Sequence, residues 1–150
     1  MYNAPDELRH TVQTLLDSQI QAVLATQYEQ QPYTSLMAFA VTPDLRQMVF
    51  ATGRSSRKYS NLLANPQASL LIDSRCNTEN DYRDAIAISA QGSVSEVGVD
   101  RYAELLQLYL NKHPRLWDFV TAKDSVLLQL EVERYYIVSQ FQSVTELKMI

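Results

Sequence analysis

Apolar residues recur at helical spacing at the start of the chain. Leu8, Val12, Leu15 and Leu16 form one stripe, so the segment from Pro5 to Gln19 predicts an amphipathic helix. Pro5 suits a first turn, where its missing N–H costs nothing. The pattern then shortens. AVLATQ (22–27) predicts a strand, YEQQP interrupts it, YTSLMAFAV (33–41) predicts a second strand, and TPDLRQ supplies Pro and Asp for a turn before a third, MVFAT (48–52). The links are too short for helical crossovers, so these three strands are expected to form an antiparallel meander.

SSRKYSNLLANP predicts a short helix. Ser55 or Ser56 caps it, Leu62 and Leu63 face inward, and Asn65-Pro66 stops it. ASLLID (68–73) is a fourth strand and SRCNTENDYRD a long polar loop. AIAISAQGSVSEV (85–97) is a fifth strand, with Gly92 marking a bulge or bend. Asp100 is expected to cap the helix RYAELLQLYLNKH, in which Tyr102, Leu105, Leu106, Tyr109 and Leu110 make a stripe, and Pro114 ends it. VLLQLEVERYYIVSQF (126–141) is a long sixth strand, and SVTELKM can pair as a short seventh. Many short-looped strands with few helices predict a mainly β fold, an antiparallel barrel with peripheral helices.

Composition narrows the class. At 150 residues, 46% hydrophobic and 20% charged, the chain reads as one globular domain spanning 1–150. No apolar run has the length of a membrane span and the N-terminus has no apolar signal core, so a cytoplasmic protein is expected. A net charge of -4 with no basic stripe argues against nucleic acid as a partner. The one cysteine, Cys76, allows no internal disulfide, and His10 and His113 lie too far apart for a zinc motif.

One stretch runs against the acidic balance. Arg54, Arg57 and Lys58 crowd together, and the last two fall in the first turn of the short helix. Cations there oppose the helix dipole, at about 0.3–1 kcal/mol each when exposed. A phosphate would reverse the sign, collecting helix amides, the hydroxyls of Thr52 and Ser56, and charged bonds from Arg57 and Lys58. A solvated basic turn that tolerates the cost is the other reading. The segment has neither the spacing of a P-loop nor a Rossmann fingerprint.

Other constellations carry less. Tyr59, Tyr82, Tyr135 and Tyr136 can stack on a ring or simply pack, and Trp117 reads as a core or interface anchor. Glu79, Asp81 and Asp84 read as solvated loop acids. No Ser-His-Asp or Cys-His set can be assembled, so any enzymatic chemistry would rest with a cofactor.

The stretch PYTSLMAFAVTPDLRQMVFATGRSSRKYSNLLANPQASLLID, followed by AQGSVSEV, resembles the core of the FMN-binding split-barrel family, the pyridoxamine 5'-phosphate oxidase-like proteins. The likeness covers residues 8 to 98. Its most specific part is SRK-x-x-x-L-x-x-NP after an aromatic-x-Thr strand end. The C-terminal third, ending LEVERYYIVSQF, resembles more loosely the branch that includes haem-utilisation proteins. The resemblance implies an antiparallel split β-barrel that binds FMN at a homodimer interface. By position, Arg57 and Lys58 would hold the FMN phosphate with Ser56 and Thr52, and Ser35, Leu36, Met37 and Ala51 would lie beside the isoalloxazine ring.

The chain also departs from the true oxidases. Where they carry a flavin-contacting arginine, a substrate-reaching lysine and a glutamine, this sequence has Ser35, Ala40 and Ala87. Their substrate-binding Tyr/Arg/Ser segment and closing Trp and Arg have no match. The resemblance therefore implies an FMN-dependent oxidoreductase of another substrate, with NAD(P)H or another electron donor. A haem-binding relative with His113 as axial ligand, a non-enzymatic flavin module and a deazaflavin protein are the alternatives.

Overall fold

The predicted apolar stripe of the first helix is buried along its whole length. Leu8, Val12, Leu15 and Leu16 of α1 (Pro5–Ser18) all pack into the main core. The structure, a computed structural model, describes residues 5–140 and 142–150.

Eight antiparallel strands follow in one curled sheet: β1 (Gln21–Tyr28), β2 (Gln31–Ala38), β3 (Ala40–Val41), β4 (Gln47–Gly53), β5 (Gln67–Asp73), β6 (Ile86–Glu96), β7 (Ser125–Ser139) and β8 (Ser143–Lys148). Their spatial order is β2-β1-β5-β6-β7-β4-β3, with β8 on β7. Among the described residues five α-helices and one 3-10 turn (Pro114–Leu116) lie between or outside them: α1, α2 (Arg57–Ala64), α3 (Asp81–Asp84), α4 (Val99–Lys112) and α5 (Trp117–Val120). This is a half-open, mainly β split barrel, as the family resemblance implied, with the peripheral helices that the pattern predicted.

The fifteen-residue β7 is the spine. One edge pairs with β6 through residues 128–139. The other serves β4 through residues 125–131 and β8 through residues 134–139. The β6–β7 ladder shifts register between Gln91 and Gly92, where the sequence expected a bulge. A Cβ on Gly92 would run into the carbonyl oxygen of Glu131, so only glycine fits this close approach.

The β1–β2 turn needs just two residues. Glu29 and Gln30 both have positive φ, 48° and 71°, as a tight primed hairpin turn requires.

Several expectations need correction. The 33–41 segment is not one strand. It breaks at Phe39 because the Phe39 carbonyl accepts a 2.7 Å hydrogen bond from His113 Nε2, outside the ladder. The simple meander also fails, because β4 pairs along its length with β7 and meets only the two-residue β3 on its other edge. Within the 74–84 loop, Asp81–Asp84 form a helical turn. Gly98, not Asp100, occupies the N-cap of α4. Of the two α2 leucines expected to face inward, Leu62 does, whereas Leu63 is 70% exposed. The C-terminal strand does form, as β8.

Two apolar clusters lie on opposite faces of the sheet. The larger fills the barrel between α1 and the strands. The smaller joins Val49, Ala51 and Leu127 to Leu105, Tyr109 and Leu110 of α4 and to Val97 and Val120. MVFAT reads as an unbroken apolar run because β4 is buried from both sides, by Met48 and Phe50 inward and by Val49 and Ala51 against α4.

Candidate functional site

The end of β4 passes through Gly53 into α2, and the first turn of α2 holds its geometry with local hydroxyls. Ser56 is the N-cap: its Oγ accepts from the Tyr59 amide at 3.2 Å and lies 2.8 Å from Thr52 Oγ1. The amides of Arg57 and Lys58, first in the helix, have no intrahelical acceptor. At the far end of α2, buried Asn61 donates to Thr26 Oγ1 at 3.1 Å and ties the helix to β1.

The three cations take different paths. Arg54 pairs with Glu96 at 2.7 Å and donates to Tyr59 Oη at 3.2 Å. Arg57 is exposed, with its guanidinium 5.9 Å from the centre of the Tyr33 ring. It borders a small recess with Tyr28, Ser55, Ser60 and Asn61. Lys58 is half-buried and, among the described residues, has no ion-pair or hydrogen-bond partner.

Lys58 points into a cleft of about 480 Å³ between β2, β4, the start of α2 and the α4–α5 segment. Six of the eight residues expected at the cofactor line it: Leu36, Met37, Ala51, Thr52, Ser56 and Lys58. Arg57 and Ser35 do not. Ser35 Oγ is buried and, among the described residues, has no hydrogen-bond partner.

The opposite wall of the cleft is Tyr109, Leu116 and Phe119. The sequence pattern places Tyr109 only in a helix stripe and carries no signal that singles out Leu116 or Phe119. Burial pushes the Tyr109 phenol up to about 12, so it remains neutral and cannot serve as a base near neutral pH. The cleft is thus an apolar slot with hydroxyls and one uncompensated ammonium at one end.

The remaining candidates fall elsewhere. Tyr135 is fully buried, with its hydroxyl bonded to the Leu45 carbonyl at 2.7 Å, and therefore packs rather than stacks on a ligand. Trp117 is 56% exposed and so is not a core anchor. Asp81 accepts from the amides of Cys76, Asn77 and Thr78, and among the described residues no group of His, Cys, Asp or Glu is arranged to hold a metal. No helix among them is long and apolar enough to cross a membrane.

The family model described as pyridoxamine 5'-phosphate oxidase matches residues 8–139, nearly the whole chain. The chain belongs to that family. Solved structures of similar fold include a haem-binding protein from Mycobacterium smegmatis, at a TM-score of 0.83 and 16% identity. That match covers 99% of this chain but 59% of the other. A FAD-binding protein from Mesorhizobium loti aligns at a TM-score of 0.65 and 18% identity, covering 83% and 88% of the two chains. A pyridoxinephosphate oxidase-family protein from Clostridium acetobutylicum, related to general stress protein 26, aligns at 0.73 and 15%, covering 96% of each. No curated protein sequence matches the chain.

Within this pyridoxamine 5'-phosphate oxidase-family chain, the three departures have clear positions. Ala40 is buried in β3 opposite Val49, and Ala87 lies in β6 between Asp73 and Val138. Neither lines the cleft, and Ser35, whose hydroxyl is buried, does not line it either. No side chain lining the cleft beyond Lys58 carries a positive charge that could meet a second phosphate.

Proposed function

We propose that this chain is an FMN-binding flavoprotein, and that it works as an oxidoreductase with its flavin at the interface of a homodimer. The observation that carries the reading is the cleft itself. It joins a flat apolar slot to a helix start bearing Thr52, Ser56 and an unpaired Lys58. Its volume falls in the range of small-molecule sites, roughly 300–1,000 Å³. Those groups fit a ligand with an aromatic end and a phosphate end.

In this reading Lys58 and the first amides of α2 hold the phosphate, while Thr52 and Ser56 supply hydroxyls to its oxygens. Leu36, Met37, Ala51 and Phe119 flank the ring and keep water from it. FMN, when bound, supplies reversible hydride acceptance. Because no lining residue is poised as a general acid or base, this chain's contribution is binding, orientation and exclusion of water.

The outer face of the sheet supports a second copy as the partner. Leu36, Val23 and Leu71 are direct cross-strand neighbours on that face, where Leu36 is 66% and Leu71 39% exposed. Leu36 belongs both to this row and to the cleft, so a copy seated on the face would also cover the cleft's open side.

The haem alternative rested on His113. The residue is only 8% exposed and its Nε2 is engaged by the Phe39 carbonyl, so binding iron through that nitrogen would require breaking that bond in the interior.

The test is to strip the purified protein of small molecules and titrate it with FMN, FAD and haemin, following flavin fluorescence and the Soret band. Saturable FMN binding supports the proposal. A protein that stays colourless and leaves FMN fluorescence unchanged overturns it.

A further inference from the structure

The C-terminus of α4 grips, from two sides, the residue that directly follows the opposite cleft wall. Phe39 sits at the break between β2 and β3, directly after the cleft-lining residues Leu36, Met37 and Ala38. Its carbonyl accepts from His113 Nε2 at 2.7 Å. Its ring lies under the ammonium of Lys112, with Nζ 3.9 Å from the ring centre. The same ammonium donates to the Leu16 carbonyl in the last turn of α1 at 2.8 Å. On the other side, the His113 ring contacts Tyr109 with centroids 5.0 Å apart, and Tyr109 is part of the facing wall.

A carbonyl drawn out of the ladder forfeits a sheet hydrogen bond, so the His113 bond must replace it. We propose that Lys112 and His113 form a clamp on Phe39 that fixes the end of β2 against α4 and so sets the width of the cleft. Both are positioning residues, because neither lines the cleft. The clamp rests on the flavin reading only for the identity of the ligand; the mechanical tie between the two walls stands without it.

The geometry explains why consecutive residues do the work. Lys112 ends α4 and reaches the Leu16 carbonyl of α1, whereas His113, past the helix end, reaches the Phe39 carbonyl at the strand break. The groups facing the pair are few. Asp17 at the end of α1 acts on Lys112 through space, Lys112 acts on His113, and the rest of the contact is carbonyl oxygen and aromatic ring.

The experiment compares the wild-type protein with His113→Ala, His113→Asn and Lys112→Met. Amide hydrogen exchange of residues 36–38 is measured without added ligand, and FMN affinity and the visible circular dichroism of bound flavin are measured with it. Loss of one hydrogen bond to a buried carbonyl is worth about tenfold in such equilibria. H113A should therefore exchange at 36–38 about tenfold faster, bind FMN about tenfold more weakly and alter the flavin dichroism. H113N, which keeps a donor, should recover most of each change, and K112M should show the same effects to a smaller degree. Should H113A fail to fold, K112M and H113N alone carry the comparison. Unchanged exchange at 36–38 in H113A and K112M overturns the clamp, as does accelerated exchange spread evenly over α2 and β5. A wild-type protein that does not bind FMN overturns the flavin reading, and the exchange result then decides the clamp by itself.

Discussion

Lys58 and Arg57 are adjacent in sequence and face different surroundings, which gives them separable roles. Lys58 enters the cleft unpaired, whereas Arg57 rests near Tyr33 outside it. A charged hydrogen bond to phosphate is worth roughly 1.5–3 kcal/mol. Lys58→Ala should therefore weaken FMN by about that amount, and Arg57→Ala by clearly less, in parallel fluorescence titrations. Equal losses would place the phosphate between the two side chains rather than in the cleft. Lys112 makes a different residue-scale prediction. Burial lowers its ammonium from 10.5 to about 8. Between those values the unfolded chain binds more protons than the folded one, so stability rises with pH across that window. The stabilisation is complete above 10.5 and is lost as pH falls through 8. Urea midpoints measured from pH 7.5 to 10.5 should rise in the wild type, with a smaller slope in Lys112→Met.

At the scale of elements, the Gly92 bulge holds the β6–β7 ladder in register. The backbone of Glu131 occupies the space where a side chain would begin. Gly92→Ala must push the two longest strands apart, and overpacking of this kind costs about 1–3 kcal/mol or more. Urea unfolding should show that loss directly, and an unchanged midpoint would mean that the bulge relaxes without strain. The split of β2 from β3 is the other element-level event. The segment YTSLMAFAV reads as one strand because its Tyr, Thr, Phe and Val suit a sheet and no breaker interrupts it. The break at Phe39 comes from a histidine 74 residues away, which no local pattern encodes.

For the whole molecule, the exposed apolar row on the outer sheet face predicts assembly. Leu71 lies at one end of that row, on β5, and outside the cleft. A charge there would have to be desolvated against the partner, so Leu71→Glu should shift the protein from dimer to monomer in light scattering at micromolar concentration. FMN affinity should fall with the dimer if the flavin is covered by the second copy. A wild-type protein that is monomeric at all concentrations would remove the dimer from the proposal.

Much of this molecule follows from local pattern. The α1 stripe, the MVFAT strand, the Ser56 cap, the Asn65-Pro66 stop and the bulge at Gly92 are written in spacing and residue type, because each depends on neighbours within a few positions. The pairing of β4 with β7, the far wall of the cleft from α4 and α5, the divergence of Arg57 from Lys58 and the use of His113 as a tie depend on contacts between distant segments. Those contacts are selected by how two apolar faces of one sheet are buried at once, and that global packing condition leaves no mark in any short window of the chain.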